Sequence, residues 1–154
     1  MTCPIAGYKI DENAARLVAA FVVAAIVVSL FGSELVRLGA YAFLALDFGA
    51  RAFSRPKWSL LGRIASRLLQ GLRVVPRLVD AGPKRFAARI GLGFSLALLL
   101  LEILGAGLAV QVLGGMLAIC AFLEAAFGYC LGCRIHGLWF DLRDRLHFLP
   151  TFTN

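Results

Sequence analysis

The chain has 154 residues, of which 60% are hydrophobic and only 16% charged, and its mean hydropathy is +0.83. So apolar a chain of this length does not suit a soluble globular domain, and its charges cluster between long apolar runs instead of alternating along amphipathic helices. A net charge of +7 suggests nucleic acid, yet no binding signature accompanies it and aromatic residues are not interleaved with the basic ones, so membrane topology is the better account of that charge.

The first apolar run, roughly Ala14 to Phe31, contains a single charge, Arg16, at its start, where a long side chain can snorkel. Asp11 and Glu12 precede it, which is not the basic start of a cleaved signal, so the run is expected to be retained as a span. These acidic residues can also cap the helix that follows. Their sharper use would be an ion pair between Asp11 or Glu12 and Arg134.

Gly32 and Ser33 make a turn into the second run, roughly Glu34 to Phe53, which carries Glu34 and Arg37 near one end and Asp47 and Arg51 near the other. It is the most charged of the expected spans. Beyond it, Trp58, Leu61, Ile64, Leu68 and Leu72 recur at helical spacing, while Arg63, Arg67 and Arg73 occupy other positions. That pattern predicts an amphipathic interfacial helix on membrane lipid, or a helix packed on the base of the bundle.

The third run extends from about Arg89 to Leu104 and the fourth from about Leu108 to Tyr129, joined through Gly105-Ala106-Gly107. Each is long enough to cross about 30 Å of hydrocarbon with modest thinning or snorkelling. The expected fold is all-α: an integral membrane four-helix bundle made of hairpin one (about 14–53), a cytoplasmic amphipathic connection (about 54–86), hairpin two (about 87–130) and an interfacial tail (about 131–154). In that tail, Leu138, Trp139, Leu142 and Leu146 suggest a second, shorter helix.

Ten of the sixteen basic residues fall between Arg51 and Arg89, while only Arg37 lies near the opposite face. The positive-inside rule then places this connection and both termini in the cytoplasm, with the chain in the inner membrane.

The hairpins also resemble each other. Ala14-Ala15-Arg16-Leu17 matches Ala87-Ala88-Arg89-Ile90, and Ala42-Phe43-Leu44 with Phe48-Gly49 matches Ala121-Phe122-Leu123 with Phe127-Gly128. Two tandem copies of one hairpin would share an orientation and be related by a pseudo-two-fold axis along the membrane normal; chance similarity between apolar helices is the alternative.

The second copy ends in Cys130-Leu131-Gly132-Cys133, a spacing at which two thiols can bridge or share a metal. A cytoplasmic location would keep such a pair reduced, which favours catalytic, sulfur-carrying or metal-binding thiols. Cys3 is expected on the same side as a third thiol. Arg134, His136 and the basic inner surface are expected to favour thiolate, whereas a nearby helix C-terminus would oppose it. His136 is also a candidate metal ligand or proton carrier, with interfacial packing as the plainer use. No motif names a particular metal or cofactor.

Glu124 and Asp47 lie within apolar runs, where a carboxylate is expensive unless paired or wetted, so both are candidate binding residues. Their plainer use is pairing with Arg16 or Arg89. Cys120 reads as a small core hydrophobe. Glu102, towards the outer end of the third run, is a weaker candidate.

Taken together, Cys3-Pro4, the run from Asp11 to Leu17, Leu46-Asp47-Phe48 to Arg51-Ala52-Phe53, Pro83-Lys84-Arg85-Phe86-Ala87 and the run from Phe127 to Cys133 resemble the bacterial multi-span proteins of domain-of-unknown-function family 4395. The resemblance covers nearly the whole chain and implies a membrane class, without an activity to carry over. Each hairpin is also similar to the small two-span proteins that accompany rhodanese domains, which implies handling of sulfur species at the inner face.

Three functions remain open on these residues. The first is a membrane thiol protein that exchanges disulfide or persulfide with a cytoplasmic thioredoxin-like or sulfurtransferase partner. The second is an oligomeric transporter or channel-like component for a soft metal or sulfur anion, packed through Gly91-Leu92-Gly93 and Gly105-Ala106-Gly107. The third is a scaffold that binds lipid or a soluble partner. Nucleotide loops, catalytic triads and dinucleotide fingerprints are absent from the sequence.

Overall fold

The computed structural model describes residues 9–53, 59–130, 132–135 and 137–138. Cys3, Trp58 and His136, and most of the expected tail helix, lie outside the described residues. The fold is all-α, and the described residues add one short ladder. Among the described residues the longer helices are α1 (Glu12–Phe31), α2 (Glu34–Phe53), α3 (Leu60–Gly71), α4 (Ala81–Ile103) and α5 (Gly107–Phe127), and the strands are β1 (Lys9–Asp11) and β2 (Leu78–Asp80).

Helices α1, α4 and α5 are long and apolar enough to cross a membrane. At 20 residues α2 has the length, about 30 Å at the helical rise, but its four charges set it apart. Glu34 at the start of α2 is exposed, but the charges further along the helix are drawn inward. Asp47 is only 3% exposed while its neighbour Leu46 is 75% exposed, and Leu35 and Phe53 also point away from the bundle. A helix in water would make the opposite choice.

Helix α1 packs chiefly on α5 and α2 on α4. Between them lies a core of Val18, Val22 and Ile26 from α1, Tyr41, Leu44 and Phe48 from α2, Leu98 from α4, and Val110 and Leu117 from α5. The contact of α2 with α4 is close because Gly91 has no side chain: a Cβ there would stand 2.5 Å from Phe48 Cε1. Gly91 is thus spent on packing within the chain, whereas a Cβ at Gly93 would meet nothing within 4 Å.

The strand pair was not foreseen from the sequence. β1 and β2 run antiparallel with Lys9 opposite Asp80, Ile10 opposite Val79 and Asp11 opposite Leu78. Each strand runs directly into a helix through an aspartate cap: Asp11 accepts a hydrogen bond from the Asn13 backbone N–H, and Asp80 accepts one from that of Gly82. The cap at Asp80 starts α4 at Ala81, several residues ahead of its apolar run. Pro83 is tolerated there because the first turn has no intrahelical use for its missing N–H.

Helix α3 takes the second of the two expected arrangements, packed on the bundle. Leu61 and Ala65 are buried as α3 packs on α1, while Leu60, Ile64 and Leu68 form a second, exposed apolar edge. Arg63 and Arg67, on the polar side, border a cavity. Arg73 follows the helix end in the left-handed region at φ 52°.

Candidate functional site

The end of the bundle away from the Gly32 and Gly105 turns gathers most of the polar chemistry. Helix α5 stops at Gly128, whose φ of 67° suits a residue without a Cβ, and Gly128 and Tyr129 donate their N–H groups back to the carbonyls of Glu124 and Leu123. Arg16 takes the last carbonyls, donating from Nε to Ala125 O at 3.2 Å and from Nη2 to Ala126 O at 2.7 Å. Its charge offsets the negative pole of α5 beside the cysteines. Arg16 is therefore a helix cap, not the carboxylate partner expected for it.

Past this cap the chain turns through Cys130 into a short helical stretch, where the N–H of Arg134 donates to Cys130 O at 3.2 Å. Cys130 and Cys133 are free thiols, each half-buried. The Cys133 S–H donates to Cys130 sulfur, and this holds the Cys130 thiol below its ordinary range, against burial and the nearby Glu124 charge; Lys84 assists. The same hydrogen bond pushes the Cys133 thiol up, and burial adds to that. Thiolate therefore favours Cys130.

Of the basic inner surface expected to favour thiolate, Lys84 is the cation that acts on Cys130. Arg134 instead stacks over the Tyr129 ring, 5.1 Å from its centroid. Lys84 Nζ also pairs with Glu124 Oε1 at 3.4 Å, so Glu124 is compensated by Lys84, neither Arg16 nor Arg89. Arg89 lies over the Phe53 ring at 5.9 Å. Glu12 pairs with Arg77 at 3.1 Å, and Asp11 accepts from the Arg77 backbone N–H. Neither acid meets Arg134.

Asp47 has a different set of partners. Its Oδ1 accepts from Ser59 Oγ at 2.8 Å and from the Leu61 N–H at 3.1 Å, which ties the start of α3 to α2. Its Oδ2 lies 3.1 Å from Arg51 Nε, too poorly aligned for a hydrogen bond. Arg51 Nε and Nη2 are consequently buried without a hydrogen-bond partner among the described residues. The Arg51 guanidinium sits over the Phe48 ring at 4.5 Å.

In front of Arg51 opens a cavity of about 720 Å³ between α1, α3 and α4. Glu124 and Lys84 line it, as do Arg63 and Arg67, whereas Asp47 stands behind Arg51 outside it. Lys84 and Arg51 were not singled out as site residues from the sequence. The spacing of Asp47 and Arg51, four apart on one helix, was a usable signal for the second. Nothing local could find the first, since Lys84 and Glu124 are 40 positions apart. Among the described residues, no three Cys, His, Asp or Glu side chains converge as a metal site.

The sequence matches the family model described as Domain of unknown function (DUF4395) over residues 10–140. No curated protein and no solved structure matches the chain.

Proposed function

The chain belongs to the DUF4395 family, and from that premise we propose that it is a membrane thiol protein whose Cys130 and Cys133 exchange disulfide or persulfide with a cytoplasmic thioredoxin-like or sulfurtransferase partner. The observation that carries this reading is the closeness of two free, half-buried thiols, Cys130 and Cys133, with the Lys84 charge near them to favour thiolate.

In a disulfide exchange, Cys130 thiolate attacks one sulfur of the partner's disulfide and expels the other as thiolate. Cys133 then gives up its proton and attacks the mixed disulfide, releasing the second partner thiolate. The chain's dithiol is oxidised to a Cys130–Cys133 disulfide and the partner's disulfide is reduced to two thiols. Cys3 would serve as an exchanging third thiol.

The reading includes four spans, with α2 crossing beside α1, α4 and α5. Its support is the inverted burial of α2: apolar side chains outward, Asp47 and Arg51 paired inward, and Arg37 Nε on Glu102 Oε1 at 2.6 Å. The excess of basic residues at the cysteine end supports placing that end in the cytoplasm. Tandem duplication draws support from the ladder, whose two strands each lead through an aspartate cap into the first helix of a hairpin and pair symmetrically about Ile10 and Val79.

Oxidised glutathione added to the purified full chain in detergent tests the chemistry by mass. The wild type is expected to lose two hydrogens, with Cys133→Ser trapped as a glutathione adduct on Cys130. An unmodified Cys130 under conditions that modify an ordinary thiol would overturn the reading. Labelling of Cys130 or Cys133 by an impermeant maleimide outside sealed cells would overturn the orientation.

A further inference from the structure

Six cationic side chains, Lys9, Arg51, Arg63, Arg67, Lys84 and Arg85, line the cavity in front of Arg51, against only two acidic ones, Asp11 and Glu124. Both acids are engaged. Asp11 Oδ1 accepts from the backbone N–H groups of Asn13 and Arg77, and Glu124 faces Lys84. Arg63 and Arg85 are engaged as well, so the positive excess rests on Lys9, Arg51 and Arg67, in a concavity whose remaining walls include Ala14, Val18 and Ala88 and so screen it poorly.

Arg51 makes this imbalance specific. Its guanidinium borders the cavity with Nε turned to Asp47, and Nε and Nη2 are enclosed, so what Arg51 presents there is chiefly its charge, which Asp47 relieves in part. Arg67, across the cavity mouth on α3, makes no ion pair among the described residues. A ligand that suits this lining brings several acceptor oxygens and more than one negative charge.

We infer that this cavity binds a phosphoryl anion, with Arg51 at its floor and Arg67 and Lys84 at its walls. Guanidinium forks match the oxygens of a tetrahedral phosphoryl group, and Lys84 adds a point charge. A carboxylate would leave most of the positive charge uncompensated. A volume of about 720 Å³ exceeds what phosphate alone needs, so the ligand carries its phosphoryl group on a larger body or as a pyrophosphate. The same chemistry is offered by a soluble phosphate compound and by a lipid headgroup entering between helices. Cys130 and Cys133 do not line the cavity, so this inference stands apart from the thiol reading.

The test uses the full chain in phosphatidylcholine nanodiscs at constant ionic strength. One arm titrates pyrophosphate and the other replaces part of the phosphatidylcholine with phosphatidic acid, with thermal stability as the readout. Arg67→Gln and Lys84→Met report on the site without disturbing the Asp47–Arg51 pair, and Arg73→Gln controls for loss of a basic residue outside the cavity. A saturable rise in Tm with pyrophosphate, its midpoint weakened at least about tenfold by Arg67→Gln and Lys84→Met but not by Arg73→Gln, establishes a soluble phosphoryl ligand. A rise confined to phosphatidic acid, with the same dependence on the variants, establishes a lipid headgroup. No rise in either arm, or a rise that all three variants weaken equally, overturns the inference.

Discussion

At the turn end of the bundle, Arg37 Nε meets Glu102 Oε1 at 2.6 Å, and Arg37 also donates to Gly32 O at 3.3 Å. At the cysteine end, Arg51 lies 3.1 Å from Asp47 Oδ2, but Asp47 accepts its hydrogen bonds from Ser59 and Leu61. Both ends pair an arginine of α2 with a carboxylate, yet only one is closed. The turn end satisfies its charges within the helices that carry them. The cysteine end uses its carboxylate to hold α3, leaving Arg51 without aligned acceptors at the edge of a cavity. An ion pair seals a bundle when its acceptors are aligned with the donors, and makes a binding surface when they are spent elsewhere.

The largest effect that would sharpen this contrast is expected from Asp47→Ala. Removing the carboxylate leaves Arg51 uncompensated and releases the start of α3, a loss of about 3–5 kcal/mol in unfolding stability, read by denaturant titration of the purified chain. Glu102→Ala at the turn end is expected to cost less, because Arg37 is one-third exposed and can regain water. Equal losses at the two ends would break the comparison.

Gly91→Val should cost roughly 1–3 kcal/mol by overpacking against Phe48, with the α2–α4 contact opened and both ends affected alike. Next in size is Cys133→Ala, which removes the S–H that lowers the Cys130 thiol. The pH profile of Cys130 alkylation by iodoacetamide then moves to higher pH, so the rate at neutral pH falls. Glu124→Gln removes a charge that opposes the thiolate and is expected to move the profile the other way, towards lower pH.

The smallest expected change is Arg73→Gly. Arg73 occupies a left-handed backbone position after α3 at φ 52°, and glycine there relieves roughly 1 kcal/mol of strain. The gain in Tm should appear without any effect on Cys130 reactivity.

Much of this molecule is readable from pattern. The runs at Ala14 to Phe31 and Glu34 to Phe53 fall on α1 and α2 nearly to the residue, because a long apolar segment bounded by charges and glycine has few folded alternatives. The spacing of Leu61, Ile64 and Leu68 likewise places α3. The β1–β2 ladder escaped notice since three-residue strands carry no periodicity, and they pair only because the two hairpins dock side by side.

The candidate site divides in the same way. Cys130 and Cys133 stand out by their spacing, and Glu124 and Asp47 by being acids in apolar company, all properties of a few neighbouring residues. Which cation meets which acid was not legible. Arg16 caps α5, Lys84 takes Glu124 and Arg77 takes Glu12, and each partner is chosen by depth and rotation across separate helices.

Sequence alone thus determined the helical class, the apolar segments and the crowding of basic residues into one stretch, since hydrophobicity and charge act through local composition. Tertiary structure alone decided that Asp47 would serve α3 and leave Arg51 facing a cationic cavity, and that Cys133 would donate to Cys130. Hydrogen bonds and ion pairs are satisfied only at contact distance, and contact distance between remote residues is a property of the packed bundle.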